Sequence, residues 1–449
     1  MSGLIERTGS KGPKRPGLRR DGQRKGPAAP VGPVVNVSPA RSAAFTILER
    51  VGNLSAHSDD LLHGPAMSEL SQADRNLATA LVMGVLRWQI ALDSRIIPLL
   101  SRPDLAVSHL IATAIRLGAF QLIYMDRIPA HAALSESVEL TRRAGQAHAT
   151  GMVNAILRKL AAQLAAPPEP EKRKLYEHVS ALAERMGHPD WIVERWVKNY
   201  GRAATIAICE YDQKEPASGE LFTGSALNAE GLPTLDDGSR LVAELAAASV
   251  ETPRRIWDCC AAPGGKTQVL AARHPQAELL ASDISPKRLA SMISRLERDM
   301  PSAQVKSVVA DAAKLPAEEG EFDLILCDVP CSGTGTLARN PEIRHHLKPS
   351  DLPRQVERQR EILTAALGRL APGGRLVYST CSLEPEECEG VMSSVIGAVS
   401  EVQLVDVAGV LEQVGVAVSG DLIKEGCLRT LPGAGFQGDG FFAAVLERS

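Results

Sequence analysis

Two segments carry a thiol among small and hydroxylated residues: Cys327-Asp328-Val329-Pro330-Cys331-Ser332-Gly333-Thr334-Gly335 and Tyr378-Ser379-Thr380-Cys381-Ser382. Each follows an apolar run that reads as a strand, Phe322–Cys327 and Arg375–Ser379. Neighbouring strands would then present Cys331 and Cys381 to one pocket. A thiol in such a place suits a carbon that is not nucleophilic by itself. Carbon 5 of a cytosine is such an atom. A thiolate adding to carbon 6 breaks the aromaticity and turns carbon 5 into an enamine carbon that can attack a methylsulfonium. The thiolate has to form first, and a nearby lysine or a helix N-terminus favours it. Taken singly, either cysteine reads as a small buried hydrophobe; the pair at adjacent strand ends points to chemistry. Enzymes that methylate exocyclic amines carry a second proline and an aromatic residue where this chain has Cys331, so amine methylation is disfavoured.

A second signal lies upstream. The turn Asp258-Cys259-Cys260-Ala261-Ala262-Pro263-Gly264-Gly265-Lys266-Thr267 follows one strand and opens a helix. Its small residues let the backbone approach a ligand, and a helix N-terminus can face a carboxylate. The pattern is not a complete phosphate-binding loop. The next strand ends in Ala281-Ser282-Asp283 and the third in Ala310-Asp311-Ala312. Asp283 is placed for a ribose diol, whose two hydroxyls can share one carboxylate, and Asp311 for the exocyclic amine of an adenine. Each aspartate alone reads equally as a helix cap; together, after a Gly-rich first turn, they fit an adenosine-bearing ligand.

These segments need a scaffold. At 449 residues the chain exceeds one ordinary core. From residue 254 short apolar runs alternate with helical stretches: Arg255–Cys260, Glu278–Ile284, Val305–Ala310, Phe322–Cys327, Arg375–Ser379 and Phe441–Leu446, with helices expected over 286–299, 351–371 and 384–399. That alternation predicts a Rossmann-like α/β domain over 254–449 with a mostly parallel, seven-stranded sheet. Residues 38–165 instead repeat apolar positions at helical spacing, as in Leu77, Leu81, Val82, Val85 and Leu86. Helices are expected from Ser71-Gln72-Ala73-Asp74 onward and over 107–125, 131–144 and 148–164, giving a helical bundle. A Pro-rich break at Ala166–Pro170 opens a connector, 166–253, helical around 172–210. The fold class is therefore α + α/β.

Hydrophobic content of 44% and charged content of 23% describe a globular protein, and the net charge of -3 gives no global argument for nucleic acid. The first thirty residues differ: Arg7, Lys11, Lys14, Arg15, Arg19, Arg20, Arg24 and Lys25 face only Glu6 and Asp21. Residues 1–37 read as a disordered basic tail, either a solubilising segment or a source of phosphate contacts. No signal peptide and no span of ~20 apolar residues appears. The expected location is cytoplasmic, with no membrane partner. The eight cysteines include no Cys-x-x-Cys pair, so no metal site is expected.

Taken together, Asp258–Thr267, Asp328–Gly335 and Thr380–Ser382 resemble the Sun/Fmu family of RNA (cytosine-5) methyltransferases of the bacterial 16S ribosomal RNA type. The resemblance extends to Arg339-Asn340-Pro341-Glu342-Ile343-Arg344, Gln359, Leu431-Pro432-Gly433 and Asp439-Gly440-Phe441-Phe442. In the front half, Asp74-Arg75, Gly84-Val85-Leu86-Arg87, Ile128–Leu134 and Val153–Arg158 resemble the NusB-like helical domain joined to that family. The resemblance implies S-adenosylmethionine as cofactor, held or bordered by Cys260, Ala261, Ala262, Pro263, Gly264, Gly265, Lys266, Asp283, Asp311 and Asp328. It implies Cys381 as nucleophile, Cys331 as the group that assists product release, Asp328 as a contact to the target base, and Lys266 lining the active site. In DNA cytosine methyltransferases the nucleophile occupies the position of Cys331, so spacing alone leaves the two thiol roles open. The expected partner is RNA, ribosomal RNA first, and the expected state is a monomer. One departure stands out. Tyr211–Asp236 is short and lacks the Arg-Val-Asn-type strand with which the family holds RNA. Two other readings follow from the same residues: a non-catalytic RNA-binding or ribosome-assembly factor, and a cytosine-5 methyltransferase of transfer RNA.

Overall fold

The computed structural model describes residues 36–53, 57–104, 107–166, 177–216, 221, 232–399, 401–413, 415–416 and 420–449. The basic tail, up to residue 35, and the Pro-rich break after Ala166 lie outside the described residues. The chain divides into two compact units, the first ending at Gly187 and the second beginning at His188.

The first unit is helical, with main helices Pro39–Gly52, Gln72–Ile96, His109–Tyr124, Ala130–Arg143, Thr150–Ala165 and Val179–Arg185. Ser71 caps the second of these, its Oγ accepting from the Asp74 amide at 3.1 Å. Leu81, Leu92, Ile115, Leu117 and Leu157 are fully buried in one apolar cluster. Close crossings depend on glycine: a Cβ at Gly84 would fall 1.9 Å from Phe120 Cζ. Inside the bundle Arg116 grips Asp93 with two bonds, Nε–Oδ1 at 2.7 Å and Nη2–Oδ2 at 2.6 Å. Removing one partner would strand a buried charge, at a cost of roughly 3–5 kcal/mol.

Among the described residues the second unit is built on a sheet of nine strands: β1 Arg255–Asp258, β2 Glu278–Asp283, β3 Val305–Val309, β4 Phe322–Asp328, β5 Leu370–Thr380, β6 Val402–Val405, β7 Ile423–Lys424, β8 Cys427–Arg429 and β9 Phe442–Arg448. Its order is β3-β2-β1-β4-β5-β9-β8-β7, and β6 shares the free edge of β9 with β8. The strands from β3 to β5 are mutually parallel. The count exceeds the seven expected because β6, β7 and β8 span only two to four residues each and have too few positions for a legible alternation.

Side chains along the parallel strands alternate between two apolar clusters. Ile256, Leu324, Leu326 and Val377 meet the helices Asp237–Ala248, Gly265–Arg273 and Pro286–Asp299. Trp257, Ile325, Cys327 and Tyr378 meet the helices Leu352–Leu367 and Glu389–Ile396. This is the period-two pleat of a sheet covered on both faces. The chain leaves β1 towards β2 and β3, then returns beside β1 as β4, so the order reverses at the carboxyl ends of β1 and β4.

The expected connector is thus partly absorbed. The helix Asp190–Asp212 belongs to the second unit, bending at Gly201, where φ is 81°. Trp196 is fully buried, and its Nε1 donates to Glu384 Oε1 at 3.2 Å. Arg195 holds the other oxygen of Glu384 at 2.5 Å. Among the described residues no helix is long and apolar enough to cross a membrane.

Candidate active site

The first turn of the sheet is shaped by two glycines. Gly264 has a φ of 103°, and a Cβ there would lie 2.5 Å from Met292 Cγ. A Cβ on Gly265 would lie 2.4 Å from Leu235 Cδ2. Only glycine lets the turn reach the start of the Gly265–Arg273 helix in this path. Cys260, Ala261, Ala262 and Pro263 form the turn between β1 and that helix. Arg288 Nη2 donates to the Ala262 carbonyl at 2.5 Å and Arg295 Nη2 to the Pro263 carbonyl at 2.8 Å, holding its outer side.

Asp283, at the end of β2, accepts from the Ala262 amide at 3.2 Å and from the Ser285 amide at 2.8 Å. It therefore braces the Gly-rich turn as well as its own strand end. Asp311, after β3, accepts from the Ala313 amide at 2.9 Å through Oδ1, and the same oxygen accepts from Arg358 of the Leu352–Leu367 helix. Partial burial pushes the Asp311 carboxyl up, but the Arg358 and Ala313 hydrogen bonds and the charges of Arg358 and Lys314 outweigh it, leaving it below its ordinary value.

Three charged side chains meet where the strand order reverses. Lys266 Nζ lies 2.7 Å from Asp328 Oδ2, and Ser379 Oγ donates to Asp328 Oδ1 at 2.8 Å. Lys266 also stands 5.0 Å above the centroid of the Phe441 ring. Burial disfavours the ammonium, but the charge and hydrogen bond of Asp328 more than offset it, so the Lys266 amine sits above its ordinary value and is cationic. Asp258, at the end of β1, accepts from Thr267 Oγ1 at 2.6 Å. Its full burial pushes it up to about 7, the Thr267 bond opposing and the Asp328 charge adding.

The loops after β4 and β5 bring Cys331 and Cys381 together, Sγ to Sγ 3.3 Å, both partly exposed. The Cys331 thiol is pushed well above its ordinary range, first by its hydrogen bond with Cys381, then by burial, then by the charges of Cys381 and Glu387. Gly335 lets these loops close: its amide donates to the Cys381 carbonyl at 2.9 Å, and a Cβ there would strike the Gly440 carbonyl at 2.2 Å. Five other thiols, Cys209, Cys259, Cys327, Cys388 and Cys427, are buried; Cys259 Sγ and Cys327 Sγ are 3.4 Å apart.

Several contributors have roles that the sequence pattern did not assign. Ser379 and Phe441 touch the Lys266–Asp328 pair, Arg358 engages Asp311, and Glu387 ties the two thiol loops. The available signal for Glu387 was faint, a single acid among several in Glu384-Pro385-Glu386-Glu387 that happens to precede the apolar Glu389–Ile396 helix. Among the described residues no His, Cys, Asp or Glu cluster is arranged to hold a metal ion.

Comparison with known proteins agrees with this geometry. Residues 245–447 match the family described as 16S rRNA methyltransferase RsmB/F, and residues 38–162 match the NusB family. Ribosomal RNA small subunit methyltransferase B of Escherichia coli O1:K1 / APEC is 30% identical over 445 residues, covering 90% of this chain and 98% of the relative. The protein of the same name from Escherichia coli strain SE11 gives the same identity and coverage, 30%, 90% and 98%. The crystal structure of PH0851 superposes with a TM-score of 0.72 at 21% identity, over 92% of this chain and 100% of that one, and supports the fold. The chain belongs to the RsmB/F family of 16S rRNA methyltransferases and joins a NusB-family helical segment to the methyltransferase segment.

Proposed function

We propose that this enzyme methylates carbon 5 of a cytosine in 16S ribosomal RNA, with S-adenosylmethionine as methyl donor and Cys381 as nucleophile. One observation carries the reading: two partly exposed thiols 3.3 Å apart, at the end of the sheet where Lys266 and Asp328 pair.

The residues present fit the donor. Asp283 accepts one backbone amide on each carboxylate oxygen, and every such oxygen has a second lone pair for a ribose hydroxyl. Asp311 Oδ2 has no hydrogen-bond partner among the described residues and can accept from an adenine amine. The Gly264–Gly265 turn and the helix it opens face the carboxylate end. When bound, the donor supplies a methyl group made electrophilic by a sulfonium.

The chain's own groups do the rest. The Lys266 ammonium would offset the negative charge that develops on the ring as the Cys381 sulfur bonds to carbon 6. Asp328, held by Lys266 and Ser379, would contact the target base. After carbon 5 is methylated its remaining proton must leave. Once Cys381 has spent its charge in the bond to carbon 6, Cys331 can lose its own proton to solvent and take the one on carbon 5. The electrons of that C–H bond restore the ring double bond and expel Cys381 as thiolate. The target base must stand outside a helix to reach the thiols.

Bisulfite sequencing of 16S ribosomal RNA and transfer RNA from a deletion strain tests the reading. A protected cytosine in 16S RNA should become convertible, and the wild-type gene but not a Cys381→Ala gene should restore it. Loss of protection in transfer RNA alone would replace the substrate, and no change in either would remove the activity.

A further inference from the structure

Glu387 is fully buried, yet no cation pairs with it among the described residues. Its carboxylate is held only by neutral donors. Oε1 accepts from the Ser332 amide at 2.9 Å and from Gln359 Nε2 at 2.8 Å; Oε2 accepts from Ser382 Oγ at 2.6 Å. Ser332 follows Cys331 and Ser382 follows Cys381, so one carboxylate bridges the residues next to both thiols. Gln359 completes the brace by also donating to the Pro330 carbonyl at 3.0 Å, and the two serine hydroxyls meet at 3.0 Å.

A buried carboxylate without a cation is costly, and three neutral hydrogen bonds offset its desolvation only in part. If bracing were its whole role, a glutamine would serve as well. Its carbonyl could accept from Ser332 and Gln359, and its amide could donate to the Ser382 hydroxyl. What glutamine lacks is the charge. That charge bears on Cys331, whose loop it holds through the Ser332 amide. Tyr378 feels the charge of Cys331, and its hydroxyl donates to the Glu387 carbonyl at 2.7 Å. Arg429 lies beyond, donating to the Ser382 carbonyl at 3.4 Å and paired with Glu389 at 2.5 Å.

We propose that Glu387 is a positioning residue for the thiol pair: it bolts the Cys331 loop to the Cys381 loop, and its buried negative charge disfavours a thiolate on Cys331. This deepens the reading of Cys381 as nucleophile and rests on it for its catalytic meaning. Like charge buried beside Cys331 disfavours a second negative charge on that thiol.

The test reads each thiol in RNA-free, full-length protein. Rates of iodoacetamide labelling at Cys331 and Cys381 are mapped by mass spectrometry from pH 6 to 10 for the wild type, Glu387→Gln and Glu387→Asp. Thiolate, not thiol, reacts. In the wild type Cys381 should label first. In Glu387→Gln, labelling of Cys331 at pH 8 should rise about tenfold, equivalent to one pH unit of its profile. Glu387→Asp, which keeps the charge, should return it towards the wild-type rate. Near-UV circular dichroism matching the wild type would show that the glutamine variant keeps its packing. Superimposable Cys331 profiles for wild type and Glu387→Gln would overturn the proposal, as would equal acceleration in the Gln and Asp variants. The assay needs no RNA. A protein that labels as expected but forms no RNA adduct would keep this role for Glu387 and lose the methylation reading.

Discussion

Lys266 Nζ and Asp328 Oδ2 stand 2.7 Å apart although 62 residues separate them in the chain, one from the turn after β1 and the other from the end of β4. The pair exists because β1 and β4 are hydrogen-bonded neighbours, with Asp258 opposite Leu326. Lys266→Met keeps the stem packed near Phe441 and removes the charge. Asp328 would then be left half-buried without its cation. The expected outcome is a fall in kcat of about 10²-fold or more, as for loss of one electrostatic stabiliser, with cofactor affinity less affected. Single-turnover methylation kinetics beside calorimetric binding would separate the two. Equal losses in both would make Lys266 a binding residue.

The two thiols should give opposite trapping behaviour. Cys381→Ala cannot bond to carbon 6, so it should form no adduct and no product. Cys331→Ala should attack and methylate but release slowly, leaving a denaturation-resistant protein–RNA band when cofactor is present. The reverse pattern would give Cys331 the nucleophilic role that the corresponding cysteine has in DNA cytosine methyltransferases.

Asp283 should matter twice. Its carboxylate fastens the Ala262 amide, so Asp283→Ala loosens the Gly-rich turn and removes the acceptor for the ribose. A loss of about 1–3 kcal/mol in S-adenosylmethionine binding is expected. Unchanged affinity by calorimetry would take Asp283 out of the cofactor site.

Asp258 predicts a pH signature. Its carboxyl rises from 3.8 to about 7 on folding because it is buried. The folded state therefore holds a proton that the unfolded chain has released. The stability this brings is complete below pH 4 and is lost as pH climbs to about 7, with a limiting slope of about 1.4 kcal/mol per pH unit. Asp258→Asn should flatten that slope between pH 5 and 7. Denaturant titrations across this range that run parallel for wild type and variant would show Asp258 ionised throughout.

Much of this was readable in the chain itself. The alternation of apolar runs with helical stretches located β1 to β5 and β9, and the helices of the first unit fell where 3.6-residue spacing placed them. Thiols, aspartates and glycines stood at strand ends, so parallel topology sufficed to gather them. Short β6, β7 and β8 escaped because pairing with β9 and with one another, not local preference, makes them strands. Glu387 and Arg358 escaped for another reason. Their partners lie 55 and 47 residues away, on loops whose approach depends on packing that no local pattern encodes.

The place of β9 has a consequence for when the enzyme comes into being. This strand is synthesised after all the others of the sheet, yet it sits inside the sheet beside β5, and the Gly440 amide just before it closes on the Gly335 carbonyl at 2.7 Å. A nascent chain can fold its first unit and its parallel strands while residues 430–449 are still inside the ribosomal exit tunnel. Until that segment emerges, β5 has an open edge and the loop after Cys331 lacks its last fastening. The loop after Cys331 gains its last fastening only once β9 has emerged, so a product truncated before β9 would be inert and would expose a strand edge suited to aggregation.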